Sequence, residues 1–379
     1  MTKIVLITPI LQHYRLTFYE KLSKANPEYD LTVLFGYKKR DDGRPSYEGE
    51  TPFKSQGFEE LKYRVLPFDV VYNKGMFAEV KRIDPDIVIV QGIAGDLTLR
   101  RTLSWAKRKK KKIIIWACAW EPGRAHGLLL KFKNTLVGTF FRKANYFLTY
   151  SSMASRYVAR LGISDSVIET CYNGIEIDGL MASRDSVLKE SREIRKKYEM
   201  DGYITFLYVG GLIMEKRVDL LISAYAELRK KYNNIKLMIV GDGPMRTSMN
   251  EQLEVLNDSS IYYLGRIVDG VDPYFAASDC FVLPGIGGLA LNQAMFWNKT
   301  CIVSAADGTE DDLVIEGETG YRFTTGDLES LVSAMERRIL DSEETIAAYS
   351  ENSYRIIVEK SNVNNMVDHF VNGIETLRK

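Results

Sequence analysis

The sequence predicts two α/β domains of the doubly wound type, one after the other along the chain. Short apolar runs such as KIVLIT (3–8), DIVIV (86–90) and KLMIVG (236–241) show no polar alternation. Longer segments such as 218–232 carry apolar residues at helical spacing between these runs. Non-alternating strands separated by helices are typical of parallel sheets covered on both faces. A length of 379 residues suits two such domains.

The strand–helix rhythm leads us to place an N-terminal Rossmann-like domain at 1–180 and a C-terminal one at 181–360. The polar, helix-prone stretch 178–202 is the predicted boundary region. Residues 361–379 read as a C-terminal helix, which we expect to pack back on the first domain.

Charge is distributed unevenly between the two halves. Residues 1–180 contain 29 Lys and Arg against 19 Asp and Glu, whereas the remainder contains 22 against 31. The first half therefore carries about +10 and the second about −9, although the chain as a whole carries only +1. A basic domain indicates an anionic partner, for which nucleic acid, a membrane surface and a diphosphate-linked lipid are the candidates.

Composition excludes several classes of protein. The chain has no run of about 20 apolar residues, and its start reads as a first strand instead of a signal peptide. Three scattered histidines argue against a zinc site. Four cysteines without C-x-x-C spacing predict buried free thiols in a reducing cytoplasm: Cys118, Cys171, Cys280 and Cys301.

The first strand leads into a turn, ITPILQHYRL, that lacks G-x-G-x-x-G. A dinucleotide-dependent dehydrogenase needs those glycines for the approach of the pyrophosphate. The turn instead offers His13, Tyr14 and Arg15 at the carboxyl end of the strand, where open α/β sheets bind ligands. We interpret them as a cluster that contacts an anionic or hydroxylated ligand; the alternative is a solvated surface loop.

The second domain begins with a strand that ends at Gly210 and Gly211, followed by Lys216 and Arg217 at a helix start. Two cations beside a helix N-terminus favour a diphosphate site. Ile267, after the strand IYYLG, is a candidate contact for a base. GDGP at 241–244 reads as a structural turn.

The loop PGIGGLALNQAM (284–295) joins another strand to another helix. Its turn glycines, Gly287 and Gly288, leave the backbone N–H groups near Leu289 unobstructed for a phosphate. Gln293 offers an amide one helical turn later.

Together these segments resemble family 4 of the GT-B glycosyltransferases, a retaining family. YNGIEID (172–178), YVGGLIMEKRVDLLISAYAEL, IVGDGP, YFAASDCFVLP and EGETGYRF follow the order of the family's motifs, and the resemblance is best over 145–325. It implies two Rossmann-like domains facing across a cleft, with a nucleotide sugar held by the second and an acceptor by the first. It also implies no metal or other cofactor, with Lys216 stabilising the diphosphate.

The sequence departs from the family at four positions. Gly211 replaces the family's arginine, and Arg217 occupies the usual glycine and is a candidate to supply the lost charge. The E-x(7)-E pair of the family falls on Gly285 and Gln293. Three interpretations follow: a different donor, such as a dTDP-sugar whose deoxyribose has one hydroxyl fewer to hold; backbone contacts that replace the acids; or a scaffold without catalysis.

The basic first domain contains KRKKKK (107–112) and a stretch at 127–143 that reads as an amphipathic helix. The stretch 127–143 is either packed core or a surface that contacts an anionic membrane. Glu121, after the fifth strand, is a candidate contact for an acceptor hydroxyl.

The resemblance thus leads us to expect a metal-independent, retaining glycosyltransferase that uses a UDP- or dTDP-sugar. Its acceptor would be a glycan or a polyprenyl-linked molecule of bacterial-type cell-surface polysaccharide synthesis, and nucleic acid is not an expected partner. We expect the protein in the cytoplasm or on the inner face of the plasma membrane. The alternatives are a sugar-nucleotide epimerase or hydrolase on this fold and a catalytically silent sugar-nucleotide or glycolipid-binding partner.

Overall fold

The computed structural model describes residues 1–37, 46–65, 68–91, 95–117, 137–306 and 308–379. These residues form two compact units. The first consists of Met1–Glu176 together with Val363–Lys379, and the second of Ile177–Asn362.

The first unit is built on one sheet. Its strands among the described residues are β1 Thr2–Thr8, β2 Tyr29–Tyr37, β3 Lys54–Val65, β4 Phe68–Asn73, β5 Ile87–Gln91, β6 Lys112–Ala117, β7 Tyr146–Thr149 and β8 Ile168–Thr170. Their order is β4-β3-β2-β1-β5-β6-β7-β8, and neighbours are parallel except for β4, which pairs antiparallel to β3. The crossover direction reverses between β1 and β5, so a ligand crevice is expected at their carboxyl ends.

Helices cover both faces of this sheet. They are α1 Leu16–Lys24, α2 Met76–Ile83, α3 Leu97–Arg108, α4 Ser152–Arg160 and the C-terminal helix Val363–Arg378, with a further helical segment at 137–141. Side chains end-cap two of them, since Asp96 accepts from the N–H groups of Thr98 and Leu99, and Ser151 accepts from that of Ala154.

The C-terminal helix is part of the first unit, because it buries one apolar stripe there. Val363, Met366, Phe370 and Ile374 recur at helical spacing and lie in the core that contains Phe18 and Trp116. The ring of Phe370 lies edge-on to those of Phe18 and Trp116, with centroids 4.9 and 5.2 Å away.

The second unit has a sheet that is parallel throughout the described pairs. Its strands are β9 Ile204–Val209, β10 Ile235–Val240, β11 Ile261–Tyr263, β12 Cys280–Leu283, β13 Thr300–Ser304 and β14 Gly320–Phe323, in the order β11-β10-β9-β12-β13-β14. Its helices are α5 Asp178–Ala182, α6 Arg184–Lys197, α7 Val218–Arg229, α8 Arg246–Leu256, α9 Asp272–Ala277, α10 Leu289–Phe296, α11 Thr309–Leu313, α12 Leu328–Leu340 and α13 Glu343–Glu359. The crossover direction reverses between β9 and β12.

The prediction of two doubly wound α/β domains is confirmed, but some details differ. The predicted boundary region 178–202 forms α5 and α6, which belong to the second unit, and Arg195 of α6 donates to the carbonyl of Ala277 at the end of α9 at 2.7 Å. The chain passes from one unit to the other after Glu176 and after Asn362, where the sequence predicted boundaries at 180 and 360.

Two strands escaped the sequence analysis. The antiparallel β4 follows β3 so closely that the sequence pattern did not separate the two strands. Glycine and arginine interrupt the apolar run of β14, and Gly320 is required there because a Cβ would overlap the carbonyl group of Cys301 on β13.

Candidate functional site

The loops that follow β9 and β12 contact each other at the point where the second sheet reverses its crossover direction. The amide of Ile286 donates to the carbonyl oxygen of Glu215 at 3.0 Å. The ammonium group of Lys216 donates to the carbonyl oxygen of Ile286 at 2.6 Å and to that of Gly287. The predicted diphosphate loop and the glycine loop therefore form one site at the carboxyl edge of the sheet.

Lys216 lies at the end of a 3-10 turn, Met214–Lys216, and is only 8% exposed. A Cβ atom added to Gly288 would lie 3.3 Å from its Nζ atom. Gly288 precedes α10, so Lys216 stands beside the N-terminus of this eight-residue helix. A helix start with an adjacent ammonium group suits a phosphate, because both present positive charge and N–H donors to its oxygens.

Gly285, the position that the sequence resemblance aligns with a glutamate, has no space for a side chain. It is buried, and a Cβ atom would overlap the carbonyl oxygen of Glu215 and lie 2.8 Å from the Cα of Lys216. The backbone of Glu215 and Lys216 therefore occupies the space that an acidic side chain at position 285 would need. At Gly211, which the sequence resemblance aligns with an arginine, a Cβ atom would meet nothing within 4 Å.

Gln293, which the sequence resemblance aligns with a second glutamate, donates to a carboxylate from another helix. Its Nε2 donates to Oδ1 of Asp272 at 2.7 Å, and the indole nitrogen of Trp297 donates to the same oxygen at 2.6 Å. Asp272 is the first residue of α9. Sequence reasoning missed it, since only packing of α9 on α10 brings these residues together.

Arg217 has a left-handed backbone with φ of 51° and precedes α7. Its guanidinium pairs with Asp219 at 3.2 Å, at the rim of a cavity of about 370 Å³. The cavity is lined by Met214, Arg217, Val218, Asp219, Met245, Ser248, Met249 and Gln252. The pairing with Asp219 reduces the positive charge that Arg217 can offer a diphosphate.

The remaining donor-site predictions lie on neighbouring loops of the same edge. Gly210 and Gly241 approach so closely that a Cβ on Gly241 would overlap the carbonyl oxygen of Gly210, which makes GDGP a packing turn. Leu289 begins α10, and half-buried Ile267 lies in the loop after β11.

In the first unit, the three predicted contact residues of the turn after β1 differ in exposure. His13 and Tyr14 are exposed, but Arg15 is only 4% exposed. Its guanidinium lies 4.7 Å from the centroid of Trp116 and donates to Oδ1 of Asn173 at 2.6 Å. Arg15 is thus buried because Trp116 and Asn173 offer it a stacking face and an acceptor, which local sequence does not reveal.

Three polar side chains that sequence reasoning missed form a chain across the carboxyl ends of three strands. Thr8, at the end of β1, donates to Oε1 of Gln91, at the end of β5, at 2.6 Å. Nε2 of Gln91 donates to the hydroxyl of Tyr150, just after β7, at 2.8 Å. Polar residues that end apolar runs were the available signal. Glu121, the predicted acceptor contact, lies outside the described residues.

Asp96, at the N-terminus of α3, is a buried carboxyl group that the sequence analysis passed over. Burial raises its pKa from the ordinary value to about 6, against the opposing effect of the N–H donors of Leu99 and Thr98, and the charge of Glu60 raises it further. Nδ2 of Asn73 also donates to Asp96 at 3.1 Å.

The predicted amphipathic stretch 127–143 is described only in its last part. Phe140 and Phe141 are buried in the core beside Phe147. For these two rings, the structure agrees with the packed-core alternative. Phe132 lies outside the described residues.

Three cysteines, Cys171, Cys280 and Cys301, are free and buried, as predicted, whereas Cys118 is not described. Within the described ranges, no helix is long and apolar enough to cross a membrane.

These features can be set beside known proteins. Residues 190–356 match the family model of glycosyl transferases group 1. The matched segment contains Lys216, the glycine loop and Asp272, so it covers the whole candidate site of the second unit.

Among curated relatives, the chain is 27% identical over 143 residues to 2-deoxystreptamine N-acetyl-D-glucosaminyltransferase of Niallia circulans, covering 36% of each protein. It is 26% identical over 204 residues to O-antigen chain mannosyltransferase C of Escherichia coli, covering 50% of this chain and 52% of that protein. The chain thus spans about a third to about half the length of these relatives.

The structures similar to this chain cover nearly all of it. Anabaena Alr3699/HepE in complex with UDP has a TM-score of 0.74 at 14% identity, covering 99% of this chain and 100% of that one. The apo form of the lipopolysaccharide outer core galactosyltransferase WaaB has a TM-score of 0.68 at 18% identity, covering 99% of both chains. The chain has the GT-B fold of two Rossmann-like α/β domains.

Proposed function

We propose that the protein is a retaining glycosyltransferase of family 4 that transfers a sugar from a nucleotide diphosphate donor without a metal ion. The observation that carries this proposal is the ammonium group of Lys216 at the N-terminus of α10, bonded to the loop carbonyls of Ile286 and Gly287. As the glycosidic bond to the diphosphate breaks, negative charge grows on the leaving phosphate. A lysine and a helix N-terminus that are already in position stabilise this charge.

The loss of both family acids is compatible with this chemistry. In a retaining transfer in which the leaving phosphate accepts the proton of the acceptor hydroxyl, the enzyme needs no carboxylate as a general base. Lys216 keeps the phosphate in position for that step. Metal independence follows from the same cation, and we expect transfer to be unchanged after treatment with EDTA.

The donor class is proposed as a UDP- or dTDP-sugar. The similar structure of Anabaena Alr3699/HepE is a complex with UDP, which supports a nucleoside diphosphate as part of the donor. The relatives that synthesise O-antigen chains and lipopolysaccharide core support a glycan or lipid-linked acceptor in cell-surface polysaccharide synthesis. We propose that the acceptor is bound by the first unit, near His13, Gln91 and Tyr150.

The experiment is a thermal-shift screen with UDP-, GDP-, dTDP- and ADP-sugars, followed by measurement of nucleotide release with lipid extracts as acceptors. A ligand that binds only the native state raises the melting temperature, by an amount that grows with its concentration relative to Kd. The donor is expected to raise it and then to be consumed in the presence of acceptor. No shift with any of the four would contradict the proposal.

A second candidate function is a catalytically silent partner that binds a sugar nucleotide or a glycolipid. The closed backbone at Gly285 favours it, because the family's first acid cannot be placed there. A silent partner that binds a sugar nucleotide predicts a thermal shift with that nucleotide sugar and no nucleotide release above the rate without protein. The two functions therefore differ in turnover and not in binding.

A peripheral contact with an anionic membrane is part of the proposal, at the inner face of the plasma membrane. Arg100, Lys107 and Arg108 lie near Lys143, whose pKa is lowered by partial burial and then by the repulsion of these three cations. Such a basic cluster attracts anionic headgroups. We expect flotation with phosphatidylglycerol vesicles and none with phosphatidylcholine vesicles, and the variant Lys107→Glu, Arg108→Glu to bind less. Equal flotation of the variant would contradict this contact.

A further inference from the structure

We infer that the first unit binds a hard divalent cation, Ca²⁺ or Mg²⁺, in an oxygen-lined site in front of Gly36. Its ligands are the side-chain oxygen of Asn73, the carbonyl oxygen of Pro9 and the carboxylate of Glu60. Asp96 lies behind Asn73 and adds a second negative charge. The cation is structural and takes no part in the transfer chemistry proposed for the second unit, so the inference does not depend on that function.

The site lies at the carboxyl edge of the first sheet, where five segments converge. Pro9 directly follows β1, Gly36 lies near the end of β2, and Asn73 is the last residue of β4. Glu60 of β3 is the register partner of Asn73. Asp96 is the N-cap of α3, the helix that follows β5. A bound ion therefore links segments that are distant from one another in the sequence.

The geometry of the site is shown by what a side chain at Gly36 would meet. A Cβ atom there would lie 2.6 Å from Oδ1 of Asn73, 2.8 Å from the carbonyl oxygen of Pro9 and 3.3 Å from Oε2 of Glu60. Gly36 is buried, so three oxygen atoms converge on the space that its missing side chain leaves free. Oxygen atoms are the ligands that Ca²⁺ and Mg²⁺ prefer in proteins.

The side chain of Asn73 supplies the observation that points to a ligand. It is only 2% exposed, and its Oδ1 atom accepts no hydrogen bond from any described residue. Its Nδ2 atom donates to Oδ2 of Asp96 at 3.1 Å, so Oδ1 is directed to the other side, toward Pro9 and Glu60. A buried acceptor without a donor is costly, and a cation satisfies it.

Rotation of the amide of Asn73 does not provide the missing donor. With Nδ2 turned toward the carbonyl oxygen of Pro9, Oδ1 would face the carboxylate of Asp96, which is also an acceptor. In either orientation two oxygen atoms face each other. A cation on the side of Pro9 resolves this with the amide as it stands, because Nδ2 keeps its carboxylate and Oδ1 gains a bond to the ion.

The charge of the site favours a divalent cation over a water molecule. Burial raises the pKa of Asp96 to about 6, and the charge of Glu60 contributes to the rise. The two carboxylates thus act on each other across Asn73, and a divalent ion offsets their repulsion, whereas water does not. Within the described ranges, no three Asp, Glu, His or Cys side chains cluster as metal ligands. The site therefore depends on the neutral oxygens of Asn73 and Pro9 as well as on charge.

Thermal unfolding of the EDTA-treated protein at pH 8, in CaCl₂, MgCl₂ or KCl of equal ionic strength, tests the inference. We expect Ca²⁺ or Mg²⁺ to raise the melting temperature by about 3 °C or more at tenfold excess over Kd, and K⁺ to have no such effect. Comparison of the two divalent ions distinguishes a flexible calcium site from an octahedral magnesium site. Transfer measured well below the melting temperature should not change on chelation, because the ion is structural.

A charge-removing variant and its neighbour locate the ion. Glu60→Gln keeps the shape of the side chain but removes a ligand charge, so it should weaken the affinity for the ion by about tenfold or more. Glu59→Gln is the matched control, since this adjacent residue of β3 is exposed, and it should bind the ion like the wild type. Calorimetry with the effective ion measures Kd for both variants.

Asn73→Asp separates a cation from a water molecule in the same space. In EDTA it should melt below the wild type, because two carboxylates then lie at hydrogen-bond distance in the pair with Asp96. On addition of the effective ion its melting temperature should rise by more than that of the wild type, because a third carboxylate strengthens the site. If water fills the space, the variant is destabilised equally with and without the ion.

Three results would overturn the inference. They are a wild-type melting temperature that responds to Ca²⁺ and Mg²⁺ no more than to K⁺, an equal affinity for the ion in Glu60→Gln and the wild type, and an equal destabilisation of Asn73→Asp with and without the ion. If Asn73→Asp does not fold, the comparison of Glu60→Gln with Glu59→Gln still decides the matter.

Discussion

The carbonyl oxygen of Glu215 fills the space that any side chain at Gly285 would need. The amide of Ile286, the next residue, donates to the same oxygen. The loop after β12 is thus held against the turn after β9 by backbone contacts, with Lys216 bonded across the contact. An acid at position 285 and this closed arrangement of the two loops exclude each other.

The first prediction concerns this contact. Gly285→Ala should destabilise the protein by about 1 to 3 kcal/mol, because a methyl group would overlap backbone atoms on both sides of it. Gly211→Ala is the matched control and should lie within about 0.5 kcal/mol of the wild type, since its Cβ meets nothing within 4 Å. Urea unfolding of the two variants measures the difference. Equal urea midpoints for the two variants would show that the loop after β12 shifts to accept a methyl group at little cost.

Gly211 offers an open position where a cation can be added beside the proposed diphosphate site. Gly211→Arg should fold normally, because the site is open, and should bind UDP about tenfold tighter through one charge-assisted hydrogen bond to the diphosphate. Calorimetry at two salt concentrations measures Kd and its electrostatic part. Gly211→Gln provides a neutral side chain of similar reach, and an equal gain in that variant would rule out charge as the cause.

Lys216 and Arg217 should differ in their importance for transfer. Lys216→Ala is expected to lower kcat by about 10²- to 10³-fold, the usual effect of removing one group that stabilises transition-state charge. Arg217→Ala should lower it by less than about tenfold, because its guanidinium already pairs with Asp219 at 3.2 Å. Both are assayed below the melting temperature of the Lys216 variant, which also loses its hydrogen bonds to the loop carbonyls. Near-normal turnover of Lys216→Ala would disprove its catalytic role.

Asp96 predicts a specific pH dependence of stability. Its pKa of about 6 in the folded protein lies above its unfolded value, so the native state holds a proton that the unfolded chain loses between about pH 4 and 6. The protonated carboxyl group therefore contributes to the free energy of unfolding below pH 4, and this contribution is lost as the pH rises through 6.

Asp96→Asn removes this titration and keeps an acceptor for the N–H groups of Thr98 and Leu99. Its stability relative to the wild type should therefore increase by about 2 kcal/mol between pH 4 and pH 8. Chemical unfolding at both pH values measures the change. A constant difference between the two proteins would show that the carboxyl group titrates normally in the folded state.

Much of the fold and half of the candidate site could be read from local sequence. Apolar runs without alternation identified most strands of both sheets, because such runs are stable only between two covering layers. Lys216 and the glycine loop were found for a similar reason: a strand end, a tight turn and a helix start are all local features. Because each of them follows a strand directly, the sequence places them at the carboxyl edge of the sheet.

The environment of each site residue came only from tertiary packing. Arg15 follows a strand end like a ligand-binding residue, yet Trp116 and Asn173, more than 100 residues away in the sequence, bury it. Asp272 lies 21 residues before Gln293, and no periodicity connects them. Whether position 285 can carry a side chain depends on the carbonyl group of Glu215, 70 residues earlier. Local patterns determine which strands and turns form, because they depend on neighbouring residues, whereas burial and pairing at the site depend on which distant segments the sheet brings together.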